Sequence, residues 1–215
     1  MKKIYMNTMW SFLAIVIASI GVSLTIKANV GTGSINALSG SISTVTSIKI
    51  GTILMLVNAL CILVQWVIQK KEFHFRQWLQ VITAMLLGEV VNIMVYQLLN
   101  NWVLDVYWLR VVVLIIGVCI SCFAIGMLVR LNLVVFPIEA CAMVIAQYSG
   151  WTFKKVRQGI DVVAILLSLA ITFIADVPLT VREGTLLNLL IFSHIAHYFI
   201  ERIEHRKWFE TIRIK

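Results

Sequence analysis

From Met6 to Ile26 the chain runs without a single charged side chain. At about 1.5 Å of rise per residue, a helix of that length crosses the roughly 30 Å hydrocarbon core of a bilayer. Water offers no stable place for such a surface, so this stretch dictates what the rest of the chain can be. Similar charge-poor runs recur at 52–68, 78–99, 108–129, 159–174 and 184–200, and they predict six spans. Composition agrees: the chain is 60% hydrophobic and only 13% charged, with mean hydropathy +0.95. That is too little charge to coat a soluble domain.

The net charge of +8 does not point to nucleic acid. The basic residues sit in short clusters between apolar runs: Lys2-Lys3, Lys70-Lys71 with Arg76, Lys154-Lys155 with Arg157, and Arg202 to Lys215. With six spans, all four clusters fall on one face of the membrane, as the positive-inside rule requires. Both termini are then cytoplasmic. The first run is long enough to be kept as a helix, and no convincing cleavage site follows it. Trp102, Tyr107 and Trp108 suit an external, interfacial loop.

Two stretches break the pattern. After the first run comes Gly31-Thr32-Gly33-Ser34-Ile35-Asn36, within an irregular region at 27–50; Val134-Val135-Phe136-Pro137-Ile138-Glu139 lies within a second irregular region at 130–150. Ile35, Leu38, Ile42 and Val45 are spaced three and four apart, which predicts a short amphipathic helix over 34–47. It is too short to span and too uncharged for a surface helix, so a re-entrant helix is expected. Pro137 suits the first turn of another short helix, with Glu139 near its positive end. Gly31, Gly33, Ser34 and Pro137 are thus the expected helix breaks.

Span, break, span, span occurs twice. The chain divides into a first repeat at 1–107, a second at 108–204 and a basic cytoplasmic tail at 205–215. Each repeat holds an odd number of spans, so the second enters from the opposite side. The expected fold is an all-α membrane protein of two inverted three-helix repeats, an architecture of secondary transporters. Setting Asn29 against Asn132 brings Asn36 onto Glu139, and a similar offset brings Glu89 and Asn92 onto His194 and His197.

Ionisable groups inside a bilayer cost about 2.5–3.5 kcal/mol on insertion scales and need a partner or a use. Asn36, Glu139, Glu89, Asn92, His194 and His197 are therefore the candidate solute-binding residues. Carboxylates with histidines suit proton coupling or a cationic group; the helix starts at Ser34 and Pro137 suit an anionic one. Asp161 stands four residues from Arg157, as an interfacial ion pair would. His194 and His197 have metal-ligand spacing but no third ligand at a recognisable spacing, so no metal and no cofactor is expected. Cys61, Cys119, Cys122 and Cys141 lie in apolar segments and read as packing residues. No nucleotide loop, nucleophile elbow or zinc-protease motif occurs, and no enzymatic activity is expected.

The segment Lys27-Ala28-Asn29-Val30-Gly31-Thr32-Gly33-Ser34-Ile35-Asn36-Ala37-Leu38, with Pro137-Ile138-Glu139, Val156-Arg157, Asp161 and Gly184-Thr185 later on, resembles the YczE/YyaS/YitT family of bacterial membrane proteins. The resemblance implies a multi-pass protein of the bacterial cell membrane without a soluble catalytic domain. That family typically carries an acidic residue where this chain has Asn36, which weighs against a two-carboxylate proton mechanism. The expected function is movement of a small, unidentified solute through a midplane site by rocking of the two halves. The alternative is a non-transporting membrane partner: the substrate-binding subunit of a larger transporter, or a regulatory scaffold. The Ala14/Ala18 face would then dock a second membrane subunit, and homo-oligomers also fit the reading.

Overall fold

A computed structural model describes residues 2–131 and 135–204. Tail residues 205–215 and part of the second break, residues 132–134, lie outside the described residues. Among the described residues eight α-helices follow one another: α1 Lys2–Ala28, α2 Ser34–Thr46, α3 Ile50–Gln69, α4 Leu79–Ile93, α5 Tyr107–Leu131, α6 Pro137–Ser149, α7 Phe153–Ala175 and α8 Glu183–Glu204. The end of α4 widens into a π-type turn at Met94–Leu98.

Among the described residues, five stretches are long and apolar enough to cross a membrane: Met6–Ala28, Ile50–Gln69, Leu79–Leu98, Tyr107–Val129 and Phe153–Ala175. The protein is a multi-pass membrane protein. At 22 residues α8 is long enough to span, but Asn188 and His194 dilute its apolar character and it is not one of the five. The two 13-residue helices α2 and α6 are about 20 Å long, too short to cross.

The helices form two layers. In one, α1 and α5 pack against each other at the centre, flanked by α4 on the α1 side and α8 on the α5 side. In the other, the short helices α2 and α6 alternate with α3 and α7: α2 lies on α7 and α6 lies on α3. Ala14, Ile15 and Ala18 of α1, Leu54 of α3, Val91 of α4 and Leu128 of α5 join in one buried core cluster. The α1–α5 crossing is close because glycine leaves room: a Cβ on Gly21 would stand 2.7 Å from the Gly117 carbonyl oxygen, and one on Gly117 the same distance from that of Gly21. Small residues at such crossings let apolar helices gain dispersion energy over their full length. Ala14 and Ala18 are 0% and 2% exposed. The face expected to dock a separate subunit is therefore spent inside the chain.

Polar residues in these apolar helices are mostly satisfied locally. Ser11, Ser19 and Ser23 each donate to a carbonyl one turn back in α1, as membrane depth demands. The chain differs from expectation at α7. This helix starts at Phe153, not at Gly159, because Thr152 caps it, accepting a hydrogen bond from the Lys155 amide. Lys154, Lys155 and Arg157 therefore belong to a helix and not to a loop.

Candidate functional site

The first break is built from backbone that few residues adopt. Asn29 has φ 51° and Gly31 φ 106°, both left-handed, and the second requires glycine. This reversal ends α1 and sets up α2, whose first residue is Ser34. The start of α8 holds it in place: Gly184 N–H donates to the Val30 carbonyl at 2.8 Å and the Arg182 guanidinium to the Asn29 carbonyl at 2.9 Å.

Ser34 donates its hydroxyl proton to Asp161 of α7. One turn earlier on α7, Arg157 pairs with the same Asp161 and reaches Glu139 of α6 at 3.7 Å. The side chains of Glu139 and Arg157 are each 21% exposed and that of Asp161 15%. Four groups from three helices thus form one cluster. One guanidinium against two carboxylates leaves it with a formal charge of minus one. Both acids sit where partial positive charge is available. Glu139 lies in the first turn of α6, and Asp161 faces the first residue of α2, so each carboxylate meets the N-terminal end of a short helix.

α7 presents its polar side to α2 and its apolar side outward. Arg157, Asp161, Ser168 and Thr172 fall on one stripe, while Val162, Val163, Leu166, Phe173 and Ile174 are exposed. Ser34 meets Asp161 and Ser41 meets Ser168, both at a sequence separation of 127, so α2 and α7 run in the same direction. Further along, Ser41, Ser168 and Thr180 close a triangle of hydroxyls at 2.7, 2.6 and 2.9 Å. A second polar node holds the start of α6. Gln65 and Gln80 exchange amide hydrogen bonds at 3.0 and 3.1 Å, and Gln65 also donates to the Pro137 carbonyl at 3.1 Å. The far end of α6 is tied to the loop after α3, where Tyr148 donates to Glu72. That carboxylate raises the phenol above its ordinary pKa.

Next to the first break lies a cleft of about 270 Å³. Thr25, Thr32 and Asn36 line one side of it, Tyr96 and Arg182 others. Its walls mix hydroxyls and amides with apolar side chains such as Ile26, Ile50 and Val95. Thr32 bonds to Thr25 at 3.0 Å and accepts from Asn36 at 3.3 Å, so Asn36 belongs to the cleft, two residues along α2 from the ion cluster.

Residues 5–201 match the model of DUF6198, a family of unknown function. The chain belongs to this family. Over 199 residues it is 24% identical to the uncharacterized protein YyaS of Bacillus subtilis (strain 168), a match covering 93% of this chain and 94% of that one. The expected likeness to YyaS is borne out along almost the whole sequence. No solved structure matches.

Of the six residues expected to line one site, the structure brings two to this region. Glu139 is in the ion cluster and Asn36 in the adjoining cleft. Asn92 is buried elsewhere: it accepts from the Gly51 amide at 2.9 Å and donates to Thr52 at 3.1 Å, holding the first turn of α3. Glu89 is exposed on the outer face of α4 and His194 on that of α8, where its Nδ1 meets the Leu190 carbonyl at 2.9 Å. The His197 side chain lies outside what is described. Of the helix-break residues, Ser34 touches Asp161, Gly31 makes the turn, Gly33 precedes α2 and Pro137 opens α6. Among the described residues no three His, Cys, Asp or Glu side chains gather as a metal site would require. Arg157 and Asp161 were legible as a pair but not as the hub of the molecule. Gln65 carried no signal beyond being an amide in an apolar run.

Proposed function

We propose that this family member moves a small solute across the membrane through a site between two inverted repeats, with α8 as the sixth span. One observation carries the reading: the first turns of two helices too short to span, one from each half, reach the same Arg157–Asp161 pair, through Ser34 and through Glu139. The packing supports it. Each short helix lies on the long helix that follows the break of the other half, α2 on α7 and α6 on α3, as inverted repeats would arrange them.

In this reading the 270 Å³ cleft is the open vestibule, bounded by the Thr32–Asn36 turn. The ion cluster beyond it is the closed gate. Arg157 bridges two carboxylates on two helices, so separating α6 from α7 exposes an unpaired acid that a cationic group or a proton can satisfy. No catalytic step and no cofactor is part of this function.

The test is uptake into liposomes reconstituted with the full chain, using radiolabelled small amines, amino acids, carboxylates and polyols, with an internal pH dye. Accumulation of one class is expected, with a fall of about tenfold or more for Glu139→Gln. Absence of uptake for every class and of proton movement sinks the reading. So does uptake unchanged in both Glu139→Gln and Asp161→Asn.

A further inference from the structure

Glu89 is the eleventh residue of the Leu79–Leu98 span, and its side chain is exposed. It therefore points away from the bundle at the depth where a charge is most costly. Among the described residues no donor reaches its carboxylate. Met85 and Ile93, four residues to either side, are 57% and 41% exposed, so Glu89 is the polar centre of an apolar stripe. A second stripe of the same form lies at the other end of the same layer. On α8, Leu190 and Tyr198 are 67% and 58% exposed, four residues to either side of exposed His194, the twelfth residue of a 22-residue helix.

We infer that the α4 face of one copy of this chain docks on the α8 face of another, with Glu89 bonded to His194 across the contact. The inference rests on α8 being a span, as proposed above. With α8 spanning, α4 and α8 cross in opposite directions. Two copies with the same orientation in the membrane then set Met85 against Tyr198, Glu89 against His194 and Ile93 against Leu190 in one register. The chemistry matches too. A carbonyl can only accept, so the His194 Nδ1 proton goes to Leu190 and leaves Nε2 for the partner. A protonated Glu89 donates to Nε2, or a carboxylate accepts from the imidazolium; either removes an orphaned acid from lipid. The two faces differ, so the contact is heterologous, and it makes a ring where the rotation between copies closes.

The experiment counts subunits by photobleaching of singly labelled full-length protein in phosphatidylcholine/phosphatidylglycerol vesicles, over a range of protein-to-lipid ratios. Association is expected in the wild type, weakened about tenfold, roughly 1.4 kcal/mol, in Glu89→Leu and in His194→Leu. The exchanged double variant Glu89→His/His194→Glu is expected to restore it. A wild type monomeric at every ratio overturns the inference. So does association that persists in both single variants, or that depends on Glu89 alone, as it would if Glu89 met its own copy. A second membrane protein retained by mass in the wild type and lost in Glu89→Leu overturns it in favour of a different partner. If the single variants fail to yield folded protein, Ile93→Trp tests the same face without touching a charge, and unaltered association there overturns the inference. Labelling of Arg202→Cys separates this outcome from failure of the six-span reading: protection from the side that labels His74→Cys removes α8 as a span, whereas labelling from that side leaves only the contact in question.

Discussion

Asp161 accepts from Ser34 and holds Arg157, so its loss leaves a hydroxyl and a guanidinium short of a partner together. Asp161→Asn keeps the shape and removes the charge. It is expected to lower stability by about 1–3 kcal/mol, measured by thermal unfolding in detergent. Ser34→Ala removes only a neutral donor and is expected to cost about 1 kcal/mol. Equal effects of the two variants would show that the charge on Asp161 carries nothing. Arg157→Lys is not expected to behave as wild type, because a single ammonium cannot present the planar set of donors that serves carboxylates on two helices. Gly31 is held by conformation. Its φ of 106° and the Thr185 amide 2.6 Å from where a Cβ would stand both exclude a side chain. Gly31→Ala is expected to cost about 1–3 kcal/mol or more.

The helices were largely legible as apolar runs. The two short helices could be read from Pro137 at a first turn and from the Ile35, Leu38, Ile42, Val45 spacing. What composition hid was α7. Its charged first turns resemble a cytoplasmic loop, and only the Thr152 cap and the polar stripe Arg157, Asp161, Ser168, Thr172 reveal one helix facing inward with its polar side. Glu89 and His194 were misplaced for a related reason. Expense in the membrane says that a residue needs a partner, but not which way its side chain points. The α1–α5 crossing depends on missing side chains. Gly117→Leu is expected to force the two central helices apart and abolish recovery of monodisperse protein, whereas Gly150→Ala, with no atom within 4 Å of the added Cβ, loses only the ease of its left-handed cap. Size-exclusion chromatography of both distinguishes a crossing that must be tight from one that tolerates bulk.

Across the whole molecule, the two layers divide the work. The α4–α1–α5–α8 row closes tightly at the Gly21–Gly117 crossing and bonds the serines of α1 within that helix, while the second layer joins its charges and hydroxyls from one helix to the next. If the halves move relative to each other, α2 and α7 are a joint across which motion must pass. The Ser41–Ser168 contact at 2.7 Å lies on it. A Ser41→Cys/Ser168→Cys pair, oxidised, is expected to stop uptake and to recover it on reduction, with neither single variant responding to oxidant. Uptake indifferent to the crosslink would mean that α2 and α7 move as one body.

The separation of 127 residues between α2 and its partner stripe on α7 also sets a schedule for synthesis. At about 5–20 residues per second, α2 leaves the ribosome some 6–25 seconds before Asp161 and Ser168 exist. Through that interval the hydroxyls of Ser34 and Ser41 stand in the membrane without the groups that later receive them. A chain stopped before α7 would still pack α2 on α3 but would leave the hydroxyl side of this short helix without its partner stripe, a form that membrane quality control can recognise and remove.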